Sequence, residues 1–278
     1  MAATMLAEKG ANADRKIERA APDNPNVKFE QCDLTSLSAV QKFADHFKEH
    51  HDRLDVLVMD AGTFLTEYQR SADGFEQTIA SNYIGHFYLT HLLLPLVRAN
   101  APSRIVWMAS AYEQLGRVHW DDIGGEYARD SGLLMYCSAK VMSIMAAREM
   151  QRRLRGTGID VFSVQPGLVN TPLFDKADWS KPATWINRPG ARLLGQSAER
   201  GAISTVRAAS DPELQGKGWG YYGPPYLGVP LPFFNDWRWS PINPLAHDAA
   251  SQRRLYDETV RLLEQKTGKP LPNKLMQA

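Results

Sequence analysis

A tyrosine and a lysine stand four residues apart in Tyr136-Cys137-Ser138-Ala139-Lys140. The run from Leu133 to Arg155, rich in Met, Ala, Leu and Arg, reads as one helix. Residues at i and i+4 of a helix share a face, one turn apart. A free phenol loses its proton near pH 10, too high for proton transfer at neutrality. A neighbouring ammonium favours the phenolate and lowers that value, so the pair could exchange a proton with an alcohol or carbonyl oxygen. A Tyr and a Lys meeting by chance on a surface helix is the competing reading, and what surrounds the pair has to decide.

The elements that would position this pair alternate. Ala11 to Ala21 reads as an amphipathic helix closed by Pro22 and Pro25. Val27 to Cys32 alternates apolar and polar as a strand does, and Asp33 closes it. Thr35 is placed to cap a helix running to about His50 on Leu37, Val40, Phe43, Ala44 and Phe47. Leu54 to Met59 is nearly continuous apolar sequence, as in a buried parallel strand, and Asp60-Ala61-Gly62 turns out of it. A helix from about Phe75 to Arg98 and a strand from Arg104 to Met108 ending at Ala109-Ser110 come next. Beyond the Tyr136 helix, Gly156 and Gly158 precede a strand from Ile159 to Val164 that ends at Pro166-Gly167. The pattern is a doubly wound, mostly parallel α/β sheet of Rossmann-like type. Chemistry in such sheets gathers beyond the carboxyl ends of the strands, where Asp33, Asp60 to Gly62, Ser110 and Pro166-Gly167 all fall.

Bulk properties exclude several classes. The chain has 278 residues, 44% hydrophobic and 23% charged, with a formal net charge of +1. That balance leaves no basic footprint for nucleic acid. Two cysteines, Cys32 and Cys137, build no disulfide framework, and Cys137 reads as a packing residue beside Tyr136. The longest apolar run, Leu92 to Val97, contains Pro95 and is far too short to span a bilayer. A cytoplasmic protein is the expectation. His50-His51 are adjacent and His86 and His91 lie five apart, neither pair at ligand spacing with an acid or cysteine, so no metal is expected.

Five stretches together resemble the short-chain dehydrogenase/reductase family, and most of all its retinol-dehydrogenase-type and fungal tailoring members. They are Leu54 to Gly62, Asn82-Tyr83-Ile84-Gly85-His86-Phe87, Ile105 to Ser110, Tyr136 to Lys140, and Pro166-Gly167-Leu168-Val169-Asn170-Thr171. The resemblance implies that Tyr136 exchanges the proton with the substrate oxygen and that Lys140 lowers its pKa and holds the nicotinamide ribose. It implies that Ser110 hydrogen-bonds the substrate oxygen and that Asn82 binds a water linking Lys140 to solvent. It further places Asp33 on the adenine amino group with Leu34 against the ring, Asp60, Ala61 and Gly62 along the adenosine ribose, and Pro166, Gly167, Val169 and Thr171 around the nicotinamide. Asp33 has a rival role as a helix cap, Ser110 as a loop serine satisfying backbone, Asn82 as a satisfied buried amide, and Pro166-Gly167 as a plain turn. The implied cofactor is NADP or NAD, and the implied substrate an alcohol or ketone of a small apolar molecule. The Asn82 and Tyr136 helices form the dimer face in many relatives, so a homodimer is possible on this resemblance.

Two departures stand out. The family opens with a strand, a Gly-rich loop, a helix and a second strand, whereas Gly10 is the only glycine before Gly62. The sequence therefore reads as a Rossmann-like domain truncated at its N-terminus by one strand-helix-strand unit, with the Val27 strand expected to slide inward and set Phe29 beside Leu57. Asp60 replaces the family's usual Asn, adding a negative charge near the adenosine. One domain over residues 1–278 is expected, with a core at 27–171, a substrate lid and aromatic loop at 172–245, and a C-terminal helix and tail at 246–278. In the middle part Trp179 and Trp185 fall in a polar loop, Ser197 to Ala209 reads as a helix, and Trp219 to Tyr222 reads as a strand. Aromatics and prolines from Tyr226 to Trp239 suit either an apolar pocket or a subunit contact. Ala246 to Gln265 reads as a terminal helix, with Lys266 to Ala278 a frayed tail. Three functions follow: a hydride-transferring oxidoreductase, with secondary-metabolite biosynthesis as one setting; a non-redox isomerase, dehydratase or cyclase using the same acid–base groups; or a silent binding protein.

Overall fold

A computed structural model describes residues 30–127, 130, 132–169, 195–224, 238–239 and 242–272. Five strands form one sheet in the order β1 (Val56–Met59), β2 (Ser103–Met108), β3 (Ile159–Val164), β4 (Tyr221–Gly223) and β5 (Arg238–Trp239). β1 to β4 run parallel, with Met59 opposite Trp107, Met108 opposite Val164 and Val164 opposite Tyr222. β5 is antiparallel.

Alternation along the strands divides the core between two sheet faces. Leu57, Met59, Ile105, Trp107, Ile159, Val161 and Tyr221 pack into the larger cluster. Val106, Phe162, Val164 and Tyr222 face the other way, with Val56, Val58 and Met108 partly buried against them. Helices on both faces make the sheet doubly wound, as the strand–helix alternation predicts.

On the larger side, α1 (Leu37–His50) buries Leu37, Val40, Phe43, Ala44 and Phe47, the five residues of the expected stripe. Its cap is Ser36, whose side chain accepts from Ala39 N, and not Thr35. Thr35 instead closes a turn onto Asp33 Oδ1, with bonds from its backbone N at 2.8 Å and its hydroxyl at 2.7 Å. Asp33 is thus a turn acid and not the helix cap either. The single helix expected from Phe75 to Arg98 is three continuous pieces: α2 (Gln77–Ile79), a π-helical turn (Ala80–Ile84) and α3 (Gly85–Ala99). α4 (Gly132–Arg153) carries Tyr136 and Lys140. It is buried at nearly every position from Met135 to Ala147, so it runs inside the molecule and not on its surface.

On the smaller side lies α5 (Ala198–Ser210), capped by Ser197. Arg104 reaches from β2 to the Ala208 and Asp211 carbonyls at 3.0 and 2.7 Å, which satisfies acceptors at the end of α5. The last helix, α6 (Ala249–Thr267), begins at Asp248, whose carboxylate accepts from Ser251 N at 2.8 Å. It lies against α4 and reaches the Asn82 helix. Tyr256 OH meets His91 Nε2 at 2.9 Å, Tyr83 OH meets Thr259 Oγ1 at 2.7 Å, and Arg153 donates to Asp257 at 2.8 Å. The chain past α6 is not wholly frayed: Leu271 is buried and its N–H bonds Glu264 Oε1 at 3.0 Å.

Glu30 to Asp33 form no strand. The rest of the Val27 segment, its pairing through Phe29, the Ala11 to Ala21 helix, the lid around Trp179 and Trp185, and the Tyr226 to Trp237 stretch lie outside the described residues. No helix among the described residues is long and apolar enough to cross a membrane.

Candidate active site

The parallel register brings three strand ends together. β1 leads into Asp60-Ala61-Gly62, β2 into Ala109-Ser110, and β3 into Gln165-Pro166-Gly167. Neighbouring backbone bonds, Ala109 N to Val164 O at 2.7 Å and Gln165 N to Tyr222 O at 2.8 Å, carry the ladder past the last residues of β2 and β3. Ser110 is thereby fixed at the top of the sheet. Its hydroxyl accepts from Tyr112 N at 3.3 Å and starts a 3-10 helix over Ala111–Leu115.

Tyr136 enters from α4 with only 4% of its surface exposed. Phe64 stacks on it edge-to-face at 5.7 Å and Tyr112 at 6.4 Å, so the ring is wedged and its hydroxyl held. That hydroxyl is hydrogen-bonded to Ser110. Burial pushes the phenol well above its usual pKa, and the Ser110 bond only partly offsets this. The charge of Lys140 is not among the influences that lower it. This corrects the expectation that the lysine acidifies the phenol. The Lys140 Nζ sits 5.5 Å from the centre of the Tyr136 ring and donates to Met108 O at 3.0 Å. The two side chains do share a helix face, but the ammonium is drawn to a strand carbonyl. Tyr136 is therefore a protonated phenol in this state.

Lys140 itself is almost fully buried, and desolvation lowers its pKa from 10.5 to about 8, against the pull of Asp60. Asp60 is exposed at the site's edge. Its surroundings raise its carboxyl and Lys140 pulls it back, and its exposure limits how far the rise can go. The acid that stands in place of the family's Asn is thus a counter-charge for the lysine.

Asn82 lies in the π-helical turn with no exposed surface. Its amide clasps Thr63, donating to Thr63 O at 2.8 Å and accepting from Thr63 N at 2.7 Å. Its own carbonyl receives Ser143 Oγ at 3.4 Å and lies 3.2 Å from His86 Nδ1. Such a turn offsets one residue of a helix ladder and is frequent at functional sites. These contacts are those of a satisfied amide, set in a backbone irregularity. Gly62 explains the close approach. A Cβ there would stand 2.8 Å from Asn82 Oδ1 and 3.7 Å from Lys140 Nζ. Gly62→Ala is expected to displace Asn82 and cost about 1–2 kcal/mol of stability, checked by chemical denaturation. An unchanged midpoint would mean that Asn82 is not pinned there.

Leu34 is buried in the main core, and its carbonyl lies so close to Gly85 that a Cβ there would be 2.3 Å away. Its backbone therefore borders the turn of Asn82, and its side chain serves packing. Ala61, Pro166, Gly167 and Val169 are half-buried. Gly167 has φ +77°, a left-handed value that glycine adopts freely. Gln196 N bonds Leu168 O at 2.9 Å, tying this turn to the segment before α5. Thr171 lies outside the described residues. Both cysteines are free and buried, and burial pushes the Cys137 thiol to about 12, consistent with packing. Sequence reasoning missed Phe64, Tyr112 and Glu113 around Tyr136. It also missed that His46, Glu49 and His50 on α1, all exposed, bring ligand atoms within 4.8 Å of one another.

The strand ends, the Ser110–Tyr136 bond, the buried Lys140 and the Asn82 turn define a class of acid–base site on a Rossmann-like sheet. A family model described as short chain dehydrogenase matches residues 1–181, and the chain belongs to that family. Retinol dehydrogenase 11 of Homo sapiens is 36% identical over 179 residues, covering 64% of this chain and 56% of that protein. Retinol dehydrogenase 13 of Mus musculus is 30% identical over 272 residues, covering 93% and 78%. A crystal structure of a protein from Mycobacterium paratuberculosis superposes with a TM-score of 0.71 at 27% identity, covering 97% of this chain and 85% of that one. The chain spans little more than half the length of the retinol dehydrogenase 11 proteins of human and mouse, at 56% and 52%.

Proposed function

We propose that the chain is an oxidoreductase that reduces a carbonyl, or oxidises the corresponding alcohol, of a small apolar molecule with NADP or NAD. The observation that carries this is the buried, neutral Tyr136 hydroxyl bonded to Ser110, with Lys140 one turn behind it. The names of the retinol dehydrogenase relatives support an apolar alcohol or aldehyde as substrate. A role in secondary-metabolite biosynthesis, in the cytoplasm, is part of the same reading.

The residues present fit the nicotinamide ribose. An ammonium has three donors, and Lys140 spends one on Met108 O. Gly62 leaves no side chain between the β1 turn, Asn82 and Lys140. When bound, the nicotinamide supplies or takes up the hydride. The protein's share is to hold and move the proton. Ser110 Oγ and Tyr136 Oη form one hydrogen-bonded pair to which a substrate oxygen can dock. Serine steadies the charge that grows there and tyrosine donates its proton. Lys140 Nζ stands 5.5 Å from the centre of the Tyr136 ring, and reprotonation restores the neutral phenol.

The test is a fluorescence titration with NADPH and NADH, reported by seven tryptophans. Saturation at micromolar cofactor, with turnover of apolar carbonyl substrates, is expected. A second reading is favoured by one observation: among residues 1–61 of this sequence Gly10 is the only glycine. A non-redox isomerase, dehydratase or cyclase would then use the same Tyr136 and Ser110. No cofactor binding together with Tyr136-dependent product formation would select it.

A further inference from the structure

Three residues beyond Ser110 stands Glu113, a carboxylate with no exposed surface. Its two oxygens receive the backbone N–H of Asn243 at 3.2 and 3.1 Å, and Gln114 Nε2 donates to one of them. Asn243 returns the contact. Its Nδ2 donates to the carbonyls of Glu113 at 3.0 Å, Gly116 at 2.9 Å and Gln114 at 3.4 Å. Its Oδ1 accepts from Leu245 N at 3.0 Å and starts the turn of 3-10 helix, Pro244–His247, that leads to α6. Two segments 130 residues apart are thus locked through one acid and one amide.

The locked segment is the one that Ser110 begins. The Ser110 hydroxyl caps the 3-10 helix Ala111–Leu115, Glu113 lies in its middle, and Gly116 ends it. Gly116 presses on α4 beside Tyr136, where an added Cβ would be 2.3 Å from Cys137 O. Ser110 at one end and Gly116 at the other therefore bracket the catalytic tyrosine.

The groups facing Glu113 are few. From α4 come Arg148 and Cys137, from β4 comes Tyr221, and from its own turn Gln114. Tyr221 is buried, and its hydroxyl has no hydrogen-bond partner among the described residues. Burial pushes Glu113 up to about 7, while the Asn243 N–H, Gln114 and the Arg148 charge pull it down.

We propose that Glu113 is a positioning residue for Ser110: its carboxylate, locked to Asn243, holds the turn that sets the serine hydroxyl against Tyr136, and protonating it loosens that turn. This rests on the reading of Ser110 and Tyr136 given above. A carboxylate accepts on both oxygens, whereas a carboxylic acid turns one into a donor and sets it against the Asn243 N–H. The lock therefore weakens as pH falls through the neutral range.

The experiment compares the full-length unaltered chain with Glu113→Gln, Ser110→Ala and the double variant, using NADPH and an apolar ketone from pH 5.5 to 8.5. Glu113→Gln is expected to lower kcat about tenfold and leave the KM for NADPH unchanged. The decline of kcat below pH 7 in the unaltered enzyme should flatten in this variant. In the Ser110→Ala background, adding Glu113→Gln should cost nothing further. An equal further loss, or an acid limb that persists in Glu113→Gln, overturns the proposal. Amide exchange at Tyr112 and Asn243 gives a readout that needs no turnover. After correction for the intrinsic pH dependence, protection should be high at pH 8 and lost both at pH 5.5 and in Glu113→Gln. Protection that survives in the variant refutes the lock even if the proposed reaction is wrong. Should Glu113→Gln not fold, Asn243→Ala removes the three side-chain bonds of the lock; kcat should fall and amide protection at Tyr112 be lost at pH 8, and an unchanged kcat and protection refute the lock.

Discussion

Tyr136→Phe is expected to reduce turnover by about a thousandfold while leaving cofactor affinity within a factor of two or three. The substitution removes one oxygen and little else. The ring keeps its contacts with Phe64 and Tyr112, so the fold should persist. What is lost is the phenol bonded to Ser110. Because burial keeps that phenol protonated, the effect should be largest for carbonyl reduction near neutral pH. Alcohol oxidation needs the phenolate and should rise toward alkaline pH in the unaltered enzyme. Stopped-flow or steady-state rates in both directions check this. A fall of less than tenfold would remove Tyr136 from the proton path.

Lys140→Met is expected to abolish activity and yet stabilise the fold by about 3 kcal/mol near neutrality. The reasoning is linkage. Lys140 titrates at about 8 in the folded protein, below its unfolded value of about 10.4. Between those values the unfolded chain binds more protons, so stability rises with pH across that window. Below pH 8 both states carry the charge and the full cost of burying it is present. A methionine of similar length carries no such cost and loses only the bond to Met108 O. Denaturant midpoints from pH 7 to 10 should therefore climb in the unaltered protein relative to Lys140→Met, with the gap closing toward pH 10. A variant that is less stable at pH 7 would show that the ammonium is better solvated than its burial implies.

Much of the fold was legible because its signals are local. The apolar run before Asp60, the stripe of α1, and the strand that ends at Ser110 are each set by residues a few positions apart. Their ends mark the site, since a parallel sheet gathers its strand ends at one edge. The direction of Lys140 was not legible. Helical spacing puts it beside Tyr136, but the acceptor that draws its Nζ is the Met108 carbonyl on β2. The π-helical turn was hidden for a similar reason, because Ala80 to Ile84 have the apolar periodicity of an ordinary helix. Glu113 showed no local pattern at all, since its partner Asn243 comes 130 residues later. Ser36 rather than Thr35 capping α1 is a smaller case: two adjacent hydroxyls compete, and Asp33 takes one of them.

α6 lies along α4, bonding it through Asp257, and bonds to the Asn82 helix through Tyr256 and Thr259. Those two helices are the ones that the family resemblance puts at a two-fold contact between copies. Here the chain's own last helix already occupies that ground. A twin molecule approaching from that side would meet the outer surface of α6, so any pairing there would be built on Arg261 and Glu258 and not on the helices that hold the tyrosine and lysine.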